Sequence, residues 1–440
     1  MFKSLFFTVC TVALAAGCWC QNPASSNKAQ DKTVVLGGLD PIQLASGNQV
    51  KGDPGIVSDY GRFRYCFSSE DDRKEFEADP DKNAVQGNGL SLRYKIAGGD
   101  PSKFFVYDHR IYLLDSDDSM ADVKKDPAPY VKSFDSMKKV AIMLFPGVQI
   151  IDYSGPYEVF GEAGYEVYTV AATPDPILTT MCLTVTPAYT FDRCPKPDLV
   201  VLPGGDVPDG LDKSNPNINW ILGSSKNGTQ IMSVCNGAFW LAGAGLLDGK
   251  KATTFYGFLD VLKKSYPKID VVSDRRFADN GQIVCTAGLS SGIDGALHLV
   301  EKFDGKGSAQ AVALNMEYNW QTGDGFVRGD YSDKYLRRLI GYNLGFSGPD
   351  IKVLSVSGDR DKWNQTWEVS DPNLNQGSIM DHMSEKLGAS GCKLVRSGSA
   401  TADWDFKGED GKPWVGSVDV QQGKDLSAWD IHITLRTKSG

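Results

Sequence analysis

Residues 230–249 read QIMSVCNGAFWLAGAGLLDG, and the fold follows from this stretch. Gln230–Val234 is a short apolar run bounded by turn residues, as a buried strand requires. It delivers Cys235 into a tight turn, Asn236-Gly237-Ala238, after which an amphipathic helix carrying Phe239, Leu241 and Leu246 is expected to begin at once. Strand, sharp turn and helix in that order form an elbow that lifts the turn residue above a sheet edge. A cysteine there stands at a helix N-terminus, whose dipole and unpaired N–H groups favour thiolate over thiol. The alternative for Cys235 is an inert buried thiol.

Outward from the elbow the pattern repeats. Lys138 opens the apolar run KKVAIMLF; PGVQIIDYSGPYEVFGEAGYEVYTVAA follows with a helix and a second strand, and then comes PDLVVLPGGD. Alternating strands and helices with Gly-rich strand ends argue for a parallel sheet covered on both faces, with the active site beyond the C-terminal strand ends. The strand end Leu202-Pro203-Gly204-Gly205 can bring a backbone N–H close. The Gly205 and Asn236 N–H groups together are expected to form an oxyanion hole.

The stretches MLFPGVQIIDYSGPYEVF, DLVVLPGGD, SVCNGAFWLAGAGLLDGKKATT and CTAGLSSGIDGALHLVE resemble the ThiJ/PfpI family, of class I glutamine-amidotransferase-like fold. The resemblance implies a flavodoxin-like α/β parallel sheet with helices on both faces. Its isonitrile-hydratase branch carries an Asp-x-x-Gly-Pro motif after the first strand, here Asp152-Tyr153-Ser154-Gly155-Pro156. Asp152 then corresponds to the acidic partner of the cysteine, able to hydrogen-bond the sulfur and pass a proton; the other reading of Asp152 is a helix N-cap. Two positions depart from the family. Phe255 follows Lys-Ala-Thr-Thr where members commonly have His, which disfavours amidotransferase and protease chemistry. Asn236 stands where isonitrile hydratases use Thr. His298, inside an apolar helix, is expected to be a core or helix-face residue.

The whole chain has 440 residues, 41% hydrophobic and 23% charged, with a formal charge of −9. That length implies several domains, and the acidic balance excludes nucleic acid as the main partner. Nine cysteines without a Cys-x-x-Cys pair exclude a disulfide scaffold and a zinc site of the usual spacing. Lys3 and the apolar stretch Leu5–Leu14 read as a signal peptide, residues 1–17. Leu14-Ala15-Ala16-Gly17-Cys18 resembles a bacterial lipobox in which Cys18 is acylated, the alternative being ordinary cleavage near Ala15 or Ala16. Residues 18–32 read as a tether.

Residues 33–134 contain an internal repeat. Gly52-Asp53-Pro54 recurs as Gly99-Asp100-Pro101, and the offset of 47 also links Tyr60 to Tyr107, Ser69 to Ser116 and Asp79-Pro80 to Asp126-Pro127. Each copy reads as a hairpin, a Ser cap and a short helix ended by Asp-Pro. The first copy resembles the YHS domain of some metal-handling proteins. Cys66 and His109, isolated in different copies, make a packing or docking role the expectation rather than a metal site. Residues 137–322 form the ThiJ/PfpI-like domain, 323–349 a helical connector and 350–440 an α+β domain. Five of the nine Trp (Trp363, Trp367, Trp404, Trp414, Trp429) lie in this last part and are expected on a core face.

The leading expectation is an exported, lipid-anchored Cys-dependent enzyme acting on a small molecule, with Cys235 as nucleophile and Asp152 as acid and base, requiring no cofactor or metal. The alternative is a small-molecule-binding or redox-sensing lipoprotein using the same pocket. Membrane contact is expected only through the lipid. A protein partner of the repeats and a homodimer are left open, and Cys182, Cys194 and Cys285 read as core residues, with a Cys182–Cys194 disulfide as the alternative for the first two.

Overall fold

The computed structural model describes residues 32–95, 98–320, 331–340, 342–346, 350–408 and 411–438. The expected signal, Cys18 and nearly all of the tether lie outside the described residues, as does part of the connector. The described residues fall into two compact units, 32–320 and 331–438. Among them, no helix is long and apolar enough to cross a membrane.

The centre of the first unit is a seven-stranded sheet. Its strands are β1 (Lys139–Met143), β2 (Glu166–Ala171), β3 (Tyr189–Thr190), β4 (Leu199–Leu202), β5 (Gln230–Ser233), β6 (Phe277–Asp279) and β7 (Ile283–Thr286). Their order across the sheet is 3-2-1-4-5-7-6, all parallel except the edge strand β6. Without the short edges this is the flavodoxin order, in which the chain reverses direction of travel between β1 and β4, opening a crevice at their C-terminal ends. Residues of β1, β4, β5 and β7 are almost wholly buried, as strands covered on both faces must be. Helix α1 (Ile150–Glu162) crosses from β1 to β2 and α2 (Pro216–Lys226) from β4 to β5. These crossovers travel in opposite directions along the sheet, so right-handed connection puts the two helices on opposite faces. The short α3 (Ala238–Gly243) packs with α2, and α4 (Ser291–Asp304) with α1.

The sequence repeat is a structural repeat. Hairpins Asp53–Tyr60/Phe63–Phe67 and Asp100–Tyr107/Arg110–Leu114, helices Glu70–Ala78 and Asp117–Lys125, and the following helix starts at Pro80 and Pro127 all keep the offset of 47. Ser69 Oγ and Ser116 Oγ accept the N–H of Asp72 and Ser119 at 3.1 and 3.2 Å, identical caps at equivalent positions. The first copy shares its core with the sheet. Its Tyr60 ring lies 5.0 Å from Tyr189 on edge strand β3, which is thereby covered. The second copy has its own small core around Leu92, Tyr112 and Phe134.

The second unit is a six-stranded antiparallel sheet in the order 350–358, 362–370, 428–437, 413–422, 401–407, 393–397, with helix Gln376–Ala389 against it. Trp363, Trp404 and Trp414 are buried in its core with Ile431, Ile433 and Leu435, on the face that the alternation predicts.

Candidate active site

Strand β5 ends at Ser233, Val234 is still extended, and the chain then breaks at Cys235, whose φ of 58° lies in the left-handed region. A non-glycine residue costs of order 1 kcal/mol or more there and stays only where its surroundings fix it. They do so: Cys235 N–H donates to Ala287 O at 3.1 Å, and its carbonyl accepts Thr254 Oγ1–H at 2.8 Å. Gly237 is required by close approach, since a Cβ there would stand 2.1 Å from Leu202 O. The elbow and the end of β4 are pressed together.

Asp152 arrives from the crevice side. The loop after β1 is tied to the end of β4 by Gln149 N–H donating to Gly204 O at 2.9 Å, and Asp152 then sits in the first turn of α1, not at its N-cap, which is Gln149. The side chain is fully buried. Oδ2 accepts Gly204 N–H at 3.1 Å. Oδ1 has no fixed partner among the described residues, while the carboxyl as a whole interacts with the Cys235 thiol. One carboxyl oxygen is thus anchored, and the other is available to give or take a proton.

Burial dominates the electrostatics. It pushes the Asp152 carboxyl up to about 7, against the Gly204 N–H and the thiol, which both hold it down. The Cys235 thiol is pushed well above its ordinary range, first by burial and then by the Asp152 charge, while the N–H groups of Asn236 and Leu289 oppose this. The expectation that a helix dipole makes the resting sulfur a thiolate is therefore corrected. Helix α3 has only 6 residues, and desolvation of the sulfur outweighs two N–H groups. At rest the sulfur is a thiol, and near neutral pH the Asp152 carboxyl is divided between its two protonation states.

Of the expected oxyanion hole, the Gly205 N–H is engaged elsewhere. Gly205 N–H donates to Asn236 Oδ1 at 2.8 Å, and Asn236 Nδ2 donates back to Gly205 O at 2.7 Å. This reciprocal pair closes the end of β4 onto the elbow and occupies the Gly205 N–H. The backbone N–H groups that hold the Cys235 thiol down against its burial are those of Asn236 and Leu289. Leu289, with φ of 54°, belongs to the turn between β7 and α4, and its only signal in the sequence is Gly288-Leu289-Ser290 immediately before a helix. Phe255, after Lys-Ala-Thr-Thr, packs on Gly288 next to it, since a Cβ on Gly288 would lie 2.4 Å from the ring.

The remaining candidates lie elsewhere. His298 stacks on Phe277 and meets Asp279 Oδ2 at 2.9 Å on the far edge of the sheet. Cys285 is buried in β7. Cys194 is a free thiol, so the Cys182–Cys194 disulfide does not form. Cys66 is buried in the first hairpin, and His109 Nδ1, in the turn of the second, lies 3.1 Å from Ala45 O. Among the described residues no three metal-ligating side chains converge.

Residues 138–302 match the sequence model of the DJ-1/PfpI family. Over 182 residues the chain is 32% identical to isonitrile hydratase of Pseudomonas putida, a match that takes in 41% of this chain and 78% of that protein. It is 31% identical over 107 residues to a deglycase of Pyrococcus horikoshii, covering 24% of this chain and 64% of that one. Among solved structures it is similar to a ThiJ/PfpI family protein from Pseudomonas syringae, with 28% identity, 43% of this chain and 78% of that chain covered, and a TM-score of 0.38.

Proposed function

The chain belongs to the DJ-1/PfpI family, and from that premise we propose that it is a Cys-dependent enzyme of the isonitrile-hydratase type, adding water to a small molecule. Cys235 is the nucleophile and Asp152 the acid and base. The observation that carries this reading is the pair itself: a thiol on a left-handed elbow against one buried carboxyl, with Phe255 instead of histidine on the neighbouring loop. Amide hydrolysis requires a base for the thiol and a proton for a departing amine. Addition to an isonitrile carbon has no leaving amine and needs one proton shuttle.

The steps balance on this pair. The thiol proton passes to the Asp152 carboxylate as Sγ attacks the terminal carbon of R–N≡C. Asp152 returns that proton to the same carbon, leaving a thioimidate, R–N=CH–Sγ. Water then adds to the carbon and its proton is carried to nitrogen through Asp152. Collapse of the adduct breaks the C–S bond, the hydroxyl proton returns to sulfur, and the formamide R–NH–CHO departs. A carboxyl poised about 7 serves both directions at neutral pH. The N–H groups of Asn236 and Leu289 support the sulfur while it is anionic.

The test is formamide production from a small alkyl isonitrile by the full chain. Turnover is expected, abolished in Cys235→Ser and lowered by roughly 10²–10⁴-fold in Asp152→Asn. A second reading, capture of an oxidant or small molecule without turnover, is favoured by Phe255 in place of a histidine beside the site. Stoichiometric oxidation of Cys235 by peroxide, with no isonitrile turnover, replaces the first reading by the second. The proposed location, outside the cytoplasm and anchored at Cys18, is supported by the sequence LFFTVCTVALAAGC at residues 5–18.

A further inference from the structure

Resting on that reading of the Cys235 site, we propose that Arg276, Asp294 and Tyr318 are positioning residues that hold the Ala287–Ser290 turn in the shape that aims the Leu289 N–H at the sulfur. The turn is irregular and strained: Leu289 has φ of 54° with a full side chain, a conformation that persists only when neighbours on both sides impose it. One side is the elbow. Cys235 N–H donates to Ala287 O at 3.1 Å, which pins the turn to the elbow. The other side is the cluster. Ala287 N–H donates to Arg276 O at 2.8 Å, and the Arg276 guanidinium is ion-paired to the Asp294 carboxylate in the first turn of α4. The guanidinium also reaches Ser290 Oγ at 3.5 Å, and Tyr318 O–H donates to Asp294 Oδ1 at 3.1 Å.

Both members of the ion pair are largely withdrawn from water, with side-chain exposures of 18% and 6%. Such a pair is poor evidence for stability, because desolvation offsets most of the attraction. What it supplies is a fixed geometry. The start of α4 has no slack: a Cβ on Gly292 would stand 2.9 Å from Val234 of the elbow, and one on Gly155 of α1 would stand 3.0 Å from Ile293. Movement of the first turn of α4 therefore moves Leu289 relative to Cys235. The groups that act on the thiol are the Asp152 charge from α1 and the two N–H groups from elbow and turn. Of these, only the Leu289 N–H depends on the cluster.

The experiment is the rate of Cys235 alkylation by iodoacetamide as a function of pH, read by peptide mass spectrometry on the full chain. Arg276→Met and Asp294→Asn are expected to move the midpoint upward by about one pH unit, so that alkylation below it slows about tenfold. Arg276→Lys is expected to recover most of the wild-type profile. Tyr318→Phe leaves the ion pair in place and is expected to give a smaller shift of the same sign, which decides the matter if the first two variants do not fold. An unchanged profile in folded variants, with only the melting temperature lowered, overturns the proposal. No isonitrile is involved: a wild-type chain without turnover but with the shifted profiles overturns the hydratase reading alone, and turnover with unshifted profiles overturns this one alone.

Discussion

Replacing Asp152 by Asn is predicted to stabilise the chain at neutral and alkaline pH. The carboxyl is fully buried and stands at about 7 in the folded protein against an ordinary 3.8. A carboxyl raised in this way contributes stability that is fully present below its unfolded value and is lost as the pH rises through its folded value. Between those limits the folded chain holds a proton that the unfolded chain has released. A displacement of about three pH units at 1.36 kcal/mol each amounts to about 4 kcal/mol, lost between about pH 4 and pH 7. Asn has nearly the shape of the protonated acid, can still accept the Gly204 N–H through its oxygen, and does not titrate. Wild type and variant should therefore have similar stability at pH 4 and differ by about 4 kcal/mol at pH 8, or about 8 °C in melting temperature at the ~2 °C per kcal/mol of a unit this large. The assay is scanning calorimetry of both chains at single-unit steps from pH 4 to 8, below the range in which the thiol contributes. A difference that stays constant across this range, or a variant less stable at pH 8, refutes the reasoning that burial sets the state of this carboxyl. Under the proposed mechanism the same variant loses the proton shuttle, so stability and turnover should move in opposite directions.

Gly204→Ala should disrupt the site, since its Cβ would stand 2.1 Å from Asn236 Oδ1 and 2.8 Å from Asp152 Oδ2; a loss of about 1–3 kcal/mol in urea denaturation is expected together with loss of turnover. Gly161→Ala, in α1 with nothing within 4 Å, is the control and should stabilise by about 0.5–1 kcal/mol. Ser69→Ala and Ser116→Ala should each cost about 1 kcal/mol in the same assay, because each removes one equivalent helix cap; a neutral result at both positions would show that these bonds are not holding the repeats.

Much of this molecule is legible along the chain because the deciding interactions are local. Cys235 on an elbow follows from a strand, a Gly and a helix within a few residues. The repeat follows from Ser caps, hairpin ends and Asp-Pro breaks recurring at a constant interval. Asp152 was legible only through its motif, since nothing nearby reveals which strand end it faces. Asn236 was read as a neighbour of the nucleophile, whereas its side chain ties residues 31 positions apart and takes the N–H of Gly205. The tandem repeats, residues 33–134, end in sequence where the sheet domain begins, and nothing along the chain shows that Tyr60 and Tyr189 join the first copy to the sheet.

By itself the sequence determined the alternation of elements, the elbow that carries Cys235, the Asp-x-x-Gly-Pro stretch at Asp152 and the tandem repeat, all of which rest on residue type and short spacing. Tertiary structure alone decided the protonation balance of Cys235 and Asp152, the choice of Asn236 and Leu289 as the N–H groups at the sulfur, and the placement of Arg276 and Asp294 behind the turn. These depend on how completely water is excluded and on which distant strand ends meet. Desolvation energy and hydrogen-bond geometry are properties of the assembled crevice between β1, β4 and β5, and no segment carries them alone.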